Sequence, residues 1–421
     1  MYQTTRLKNG LTIATAKMPH RASVSLGIWV GTGGRFEPAE INGVSHFIEH
    51  LLFKGTKKRS AEKISQDVEG IGGYLNAFTS EENTCFYSKA RHDRFDELVD
   101  VLGDMFLNST FAPVEIKRER DVIKEEIAMY RDQPHQIVQE LLNETLWPGQ
   151  PLGRSIAGTE KTLDAIDRPK LLNYLRQNYV ASSTIVTAAG NLEHKRVVQA
   201  LSKFAKRLRT GKRPGFIPAL AHQTAPCLRL FTKKTEQTQI ALGIRGCSRH
   251  DERRYALRLL NTVLGENMSS RLFQTVREKH GLAYSIYSST SYFDDTGDLV
   301  ISAGLDTDKL EKALKLISNE LKQLSEKIIS PGELRRARDY VIGQLDMNLE
   351  STEPQMMWMG EHLLGYGKIA RPDDVKQRLL KVRASEIRSV ARDFFRPERL
   401  NLAMVSPLKK EPALERALKF S

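Results

Sequence analysis

Apolar and polar positions alternate in two segments that lie far apart in this chain. Ser25-Leu-Gly-Ile28 and Ala241-Leu-Gly-Ile244 each lie within an alternating apolar run, which predicts a β-strand. Apolar residues recur at helical spacing around 93–107 and again around 308–324, which predicts two amphipathic helices. Each half of the chain is therefore predicted to contain strands and helices in a similar order.

A clearer repeat follows each of these predicted helices. The segment 113–121, PVEIKRERD, is matched by the segment 331–339, PGELRRARD, with identical Pro, Glu, Arg, Arg and Asp at the same positions. Proline suits the first turn of a helix, so both copies are predicted to open one. The chain thus reads as a diverged duplication of an α+β domain, each copy a mainly antiparallel β-sheet packed with α-helices.

A basic stretch rich in proline and glycine separates the two copies. It covers residues 209–226 and predicts a linker. The predicted division is therefore a first domain over 1–208, the linker, and a second domain over 227–421.

Composition narrows the class of protein. The 421 residues are 40% hydrophobic and 27% charged, as in a soluble globular protein, and no stretch is apolar enough to span a bilayer. The net charge of +13 is interleaved with acidic residues and accompanies no nucleic-acid motif, which argues against a nucleic-acid-binding protein. Three scattered cysteines and an N-terminus without a signal-peptide pattern predict a cytoplasmic location.

One short motif carries chemistry: His46-Phe-Ile-Glu49-His50. On a helix, positions i and i+4 share a face, so the two imidazoles can converge on one divalent metal ion, most often zinc. Glu49 lies close enough to reach the same point without being a ligand. The alternative is a solvated helix face that happens to carry these residues.

The duplication provides a test of that alternative. When the two copies are aligned, Ala337 and Gln344 occupy the positions of Glu119 and Glu126. The second half also has no histidine within 251–279. Loss of both acids together with the histidines is the outcome expected if the first half alone binds a metal.

A catalytic zinc site requires a third protein ligand. The predicted helix 115–129 offers Glu119, Glu125 and Glu126. Glu119 and Glu126 are two turns apart and share a face, whereas Glu125 is turned by about a hundred degrees from Glu126. Helix geometry alone does not choose among the three.

Nearly the whole chain resembles the pitrilysin/insulinase metallopeptidases, the inverted zincins, and in particular their mitochondrial-processing-peptidase-like subfamily. The resemblance is carried by four segments: 42–56, NGVSHFIEHLLFKGT; 72–80, GGYLNAFTS; 119–126, ERDVIKEE; and 151–158, PLGRSIAG. In that family the distal glutamate ligand lies 76 residues after the second histidine, which is Glu126 here. The resemblance therefore implies one zinc ion per chain, held by His46, His50 and Glu126.

The resemblance also implies roles for neighbouring residues. Glu119 matches an additional acid that would orient a ligand from behind. Glu49 would be the general base, taking a proton from the zinc-bound water and passing it to the leaving amine. The predicted strand 73–79 would bind a peptide at its edge, with Asn76 and Ala77 as contacts.

In the second half, Arg277 and Tyr284 match the family's arginine–tyrosine pair, which would donate hydrogen bonds to the substrate carbonyl or the developing oxyanion. Larger members of the family carry four such domains, so this chain would form half of a clamshell. A homodimer is expected, with a heterodimer containing an inactive homologue as the alternative. The predicted function is a zinc-dependent endopeptidase for peptides or unfolded small proteins. The alternative is a non-catalytic structural or assembly subunit of the same fold.

Overall fold

A computed structural model describes residues 2–220 and 222–409. The first half contains β1 Tyr2–Arg6, β2 Thr12–Lys17, β3 Ser23–Val30, α1 Val44–Leu52, α2 Ala61–Glu69, β4 Tyr74–Thr79, β5 Thr84–Arg91, α3 Phe95–Asn108, α4 Pro113–Asp132, α5 Pro134–Leu146, α6 Glu160–Ala165, α7 Arg168–Asn178, β6 Thr184–Gly190, α8 His194–Ala200 and α9 Ser202–Arg207. The second half contains β7 Cys227–Thr232, β8 Thr238–Arg245, α10 Arg254–Asn261, β9 Ala283–Tyr292, β10 Gly297–Leu305, α11 Leu310–Glu326, α12 Pro331–Asn348, α13 Thr352–Tyr366, α14 Pro372–Lys381, α15 Ala384–Phe394 and β11 Leu400–Ser406.

The first half builds a six-stranded sheet in the order β1-β2-β6-β3-β5-β4. All neighbours are antiparallel except β2 and β6, which run parallel. Strand β3 lies in the middle and is buried from its second residue to its last, which explains its unbroken run of apolar and small residues. Strand β4 forms one edge of the sheet.

The second half builds a five-stranded sheet in the order β7-β11-β8-β10-β9. Its single parallel pair, β7 and β11, occupies the place that β2 and β6 hold in the first sheet. Strands β8 and β3 are equivalent, as are the edge strands β9 and β4. The predicted α+β fold with two homologous domains is confirmed.

The predicted helices and helix starts are also observed. Helices α3 and α11 cover the two amphipathic segments, and α4 and α12 begin at the repeated prolines, Pro113 and Pro331. After α10 the chain forms two π-helical segments, Thr262–Glu266 and Phe273–Lys279, that the sequence pattern does not reveal. Among the described residues, no helix combines the length and apolarity needed to cross a membrane.

The chain forms two compact units, each discontinuous in sequence. The first unit comprises residues 2–127, 154–217 and 347–370, and the second comprises 128–153, 218–346 without 221, and 371–409. The sequence prediction instead divided the chain once, at the linker 209–226. The described residues of that stretch contain no helix or strand.

The discontinuity arises because each sheet is covered by a helix from the other half of the chain. Helix α13 packs on β3 and β6 in the first unit, and α5 packs on β8 and β11 in the second. The repeated glycine of the two central strands makes room for these helices. A Cβ at Gly27 would lie 2.4 Å from Met356 Sδ on α13, and one at Gly243 would lie 2.9 Å from Leu146 Cδ1 on α5. The Leu-Gly-Ile sequence that the two strands share therefore marks the point where a helix approaches each sheet.

Candidate metal centre

The two histidines of the motif lie on α1, whose start is fixed by a buried acid. Gly43 precedes the helix with φ +96° and provides no side-chain cap. The carboxylate of Glu37 takes that place, accepting hydrogen bonds from the backbone N–H groups of Gly43 at 2.7 Å and Ser45 at 2.8 Å. Burial raises the pKa of Glu37 to about 7, although these backbone hydrogen bonds oppose the rise.

His46, His50 and Glu126 meet at one point. Their potential ligand atoms all lie within 4.8 Å of one another, the only such group of three among the described residues. The Nε2 atoms of His46 and His50 each lie 3.7 Å from Glu126 Oε2. Glu125, the neighbouring alternative on α4, is exposed and outside this group.

The chemistry of this donor set fits zinc. Two ligand atoms about 2.1 Å from a tetrahedral ion are about 3.4 Å apart, close to the 3.7 Å separations observed. Burial, followed by the proximity of His50, lowers the pKa of His46 to about 4, against an opposing effect of Glu126. The neutral imidazole that results is the form that binds a metal.

Glu119 lies behind His50 and links it to a lysine. It is 1% exposed, and its Oε2 lies 3.2 Å from Nδ1 of His50. Its other oxygen forms a 3.0 Å ion pair with Lys54 Nζ. A carboxylate held this way orients the His50 ring and favours the tautomer whose Nε2 is free to accept a metal.

Glu49 faces the same region from α1. Its Oε2 accepts a hydrogen bond of 2.5 Å from the hydroxyl of Thr79 at the end of β4. Burial raises the pKa of Glu49, whereas the Thr79 hydrogen bond and nearby His50 lower it and Glu126 adds to the rise. The result is a partly buried carboxylate adjacent to the metal-type residues, as a general base requires.

The predicted peptide contacts lie on β4, the edge strand of the same unit. Asn76 is exposed and Ala77 half-buried, and both pair with β5 on one side only. An edge strand leaves main-chain groups available to another strand. The strand is thus able to accept an added peptide chain, while the role of the two residues stays a prediction.

Arg277 and Tyr284 come together in the second unit. Arg277 lies on the second π-helical segment, and its guanidinium carbon is 5.3 Å from the centroid of the Tyr284 ring. Tyr284 is 79% exposed on the edge strand β9. Both residues therefore present hydrogen-bond donors at the surface of their unit.

Sequence reasoning assigned no role to Glu37, Lys54 or Thr79. Glu37 had one available signal, because α1 begins after a glycine with no Ser, Thr, Asp or Asn in the capping position and therefore needs a cap from elsewhere. Thr79 and Lys54 had none, since their contacts depend on how β4 and α4 pack beside α1.

Comparison with known proteins covers both halves of the chain. Residues 12–160 match the insulinase family of peptidases (peptidase family M16), and residues 165–341 match the family's inactive domain. An uncharacterized zinc protease of Bacillus subtilis, YmxG, is 38% identical over 406 residues, covering 96% of this chain and 98% of that protein. A Streptomyces coelicolor protein described in the same words is 37% identical, covering 97% of this chain and 90% of its own.

The fold has solved counterparts. A protease from Helicobacter pylori superposes with a TM-score of 0.91 at 21% identity, covering 97% of this chain and 99% of that one. The identity to the Bacillus protein over almost the full length of both chains, together with the two domain matches, settles the classification. The chain belongs to the M16 (insulinase) family of peptidases.

Proposed function

We propose that the protein is a zinc-dependent endopeptidase that cleaves peptides or unfolded small proteins. The observation that carries the proposal is the convergence of His46, His50 and Glu126, with Glu49 beside them. The zinc-protease names of its relatives support the same activity. One zinc ion per chain, bound by the three residues, would supply Lewis acidity toward a peptide carbonyl and would acidify water.

The residues of the chain have distinct parts in this reaction. Glu49 takes a proton from water as the water oxygen bonds to the carbonyl carbon, and it returns the proton to the amine as the carbon–nitrogen bond breaks. Glu119 orients His50. The edge of β4, at Asn76 and Ala77, binds the peptide by main-chain hydrogen bonds, which makes little demand on side-chain sequence.

Arg277 and Tyr284 complete the site from a second chain. Their guanidinium and phenol groups would donate hydrogen bonds to the substrate carbonyl in the zinc site of the partner. The exposure of Tyr284 and its contact with Arg277 are consistent with such a role. The proposed assembly is a homodimer, and the proposed location is cytoplasmic.

Metal analysis and peptide cleavage test the activity directly. The purified protein should contain about one zinc per chain and cleave a quenched, unstructured peptide. A chelator should stop cleavage, and added zinc should restore it. Zinc-loaded protein that cleaves none of a broad set of peptides would instead favour the non-catalytic subunit, the alternative reading of the same fold.

Mixed dimers test the shared site. Chains carrying Glu49→Gln and chains carrying Arg277→Ala are each expected to be nearly inactive alone. Mixed together, they should regain about one working site per heterodimer, because one of the two sites then has both Glu49 and Arg277 intact. No recovery in dimers shown to be mixed would place Arg277 outside the partner's site.

A further inference from the structure

The Glu49 carboxylate is tethered at one of its two oxygens. Thr79 donates to Oε2 at 2.5 Å, and within the part of the chain that the structure describes this is the only hydrogen bond to the Glu49 side chain. A hydrogen bond to an ionised carboxylate is among the stronger ones in proteins, and the short distance agrees with that. The other oxygen, Oε1, is left to exchange a proton.

The donor is itself held firmly. Thr79 is the last residue of β4 and pairs with Thr84 on β5, so its backbone is fixed by the sheet. A β-branched side chain has few accessible χ1 positions in a strand, which fixes the direction of the hydroxyl. The long side chain of Glu49 is therefore anchored to the sheet as well as to its own helix.

The anchor lies on the strand proposed to bind substrate. Thr79 is three residues after Asn76 and two after Ala77, on the same edge strand. A peptide paired with β4 would take its register from this strand, and Glu49 takes its position from the same strand through Thr79. Strand β4 would then fix the position of both the scissile bond and the general base.

We infer that Thr79 is a positioning residue for the general base. Its hydroxyl fixes the carboxylate of Glu49 relative to a peptide bound along β4 and keeps Oε1 directed at the reacting water. The inference rests on the proposed function, since it assigns the residue that aligns the base of that same site. Misplacement of a reacting group by about 1 Å can cost about 100-fold in rate, which sets the scale of the expected effect.

The test compares Thr79→Val with Thr79→Ser. Valine keeps the shape and the strand pairing but removes the hydroxyl, whereas serine keeps the hydroxyl. We expect Thr79→Val to lower kcat by about 10- to 100-fold with KM within about twofold and zinc content unchanged. Thr79→Ser should recover most of the lost kcat.

A second comparison asks whether Thr79 acts through Glu49. In a Glu49→Gln background, Thr79→Val should reduce the residual rate no further, because the base it positions is already gone. Wild-type kcat in Thr79→Val, or an equal loss in the presence and absence of Glu49, would overturn the inference.

A third measurement does not depend on turnover. Crystal structures of the metal-free protein should show the Glu49 carboxylate in one position in the wild type and in Thr79→Ser, but spread over several rotamers in Thr79→Val. A single unchanged position in Thr79→Val would refute the positioning role. If the wild type cleaves no peptide, the proposed function fails, and these structures still decide whether Thr79 holds Glu49.

Discussion

The two units have one architecture but different polar residues. Five strands have the same order in the two sheets, and the paired helices α4 and α12 begin at equivalent prolines. The apolar contacts of these helices are kept, since Ile123 on α4 and Val341 on α12 are both buried. At the position of Glu119, however, α12 has the buried Ala337. The apolar positions are thus kept in both units, where they support the fold. The acids are present only in the unit that carries His46 and His50.

A carboxylate of the second unit, Glu266, is engaged by donors of the same unit. After α10, Glu266 accepts two hydrogen bonds from the guanidinium of Arg258 and a third from the hydroxyl of Thr262 at 2.7 Å. A carboxylate so engaged has little capacity left to bind a metal. In the first unit, the Nε2 atoms of both histidines instead face Glu126 Oε2 at 3.7 Å. A bound cation would stabilise this arrangement. The two clusters differ in the groups that face the acid: a guanidinium and a hydroxyl at Glu266, and two imidazole nitrogens at Glu126.

Among the changes considered, removing a ligand from the first unit should have the largest effect, because it removes the feature that distinguishes this unit from the second. Glu126→Gln is expected to weaken zinc binding by at least about 100-fold and to abolish peptide cleavage, because Glu126 is the third ligand and the one that carries a negative charge. Zinc content after dialysis, measured by mass spectrometry, checks this. Glu125→Gln is the matched control on the same helix and should keep both zinc and activity.

The reverse change should not create a site in the second unit. Gln344→Glu restores the acid at the position equivalent to Glu126, yet the zinc content should stay at one per chain because the histidines are absent.

For the ligand itself, loss of zinc in Glu125→Gln with retention in Glu126→Gln would reverse the assignment.

Removing the base should separate chemistry from metal binding. Glu49→Gln is expected to lower kcat by about 10²- to 10⁴-fold while zinc affinity stays within a few fold of wild type. Steady-state kinetics alongside zinc titration provides the measurement. Near-normal turnover in this variant would falsify the role of Glu49.

Removing the acid behind the histidine should have a smaller effect. Glu119→Gln is expected to weaken zinc binding by about 10- to 100-fold, because His50 loses the negative charge that orients its ring and raises its basicity. Competition with a chelator of known affinity measures the change. Glu115→Gln is the control on α4 and should leave zinc affinity unchanged, because Glu115 pairs with the exposed Arg118.

The last prediction concerns the stability of the fold rather than zinc binding: the cap of α1 and its dependence on pH. Burial raises the pKa of Glu37 from an ordinary 4.5 to about 7, so between these values the folded state binds the proton more strongly than the unfolded state. The free energy of unfolding contributed by this group therefore falls as pH rises from about 4.5 to about 7, by on the order of 3 kcal/mol, and is level above that.

Comparison with Glu37→Gln isolates this contribution. Glutamine does not titrate, so the stability advantage of wild type over the variant should shrink as pH rises from 5 to 7. Urea denaturation of the metal-free proteins across that range measures it. An advantage that stays level or grows with pH would show that the pKa of Glu37 is not raised in the folded state and that its hydrogen bonds outweigh its burial.

The sequence was sufficient for features set by local pattern. Helices are observed where the periodicity predicted them, near 93–107 and 308–324, and also at the repeated prolines. Both signals succeed because amphipathic faces and helix starts are determined by residues close together in sequence. The i, i+4 spacing likewise placed His46 and His50 together on α1. The choice of Glu126 over Glu125 came from the family resemblance, and Glu126 is the acid whose potential ligand atom lies within 4.8 Å of those of both histidines.

Features set by long-range packing were beyond the sequence pattern. The contact between Thr79 and Glu49 depends on where the β4 edge lies beside α1. The exchange of α5 and α13 was missed for a similar reason, because the sequence of a helix does not specify which sheet the helix covers. The repeated glycine was a clue to close packing, although it did not identify the helix that approaches it.

The exchanged helices have a consequence for the order in which this chain can fold during synthesis. Helix α13 supplies Met356 and Met359 to the apolar cluster around Trp29 in the first unit. Those residues leave the ribosome only after most of the second half has been made. The strands of the first unit are synthesised early, but one face of their sheet therefore stays uncovered until α13 emerges. The first unit can finish folding only when much of the second unit has also been synthesised.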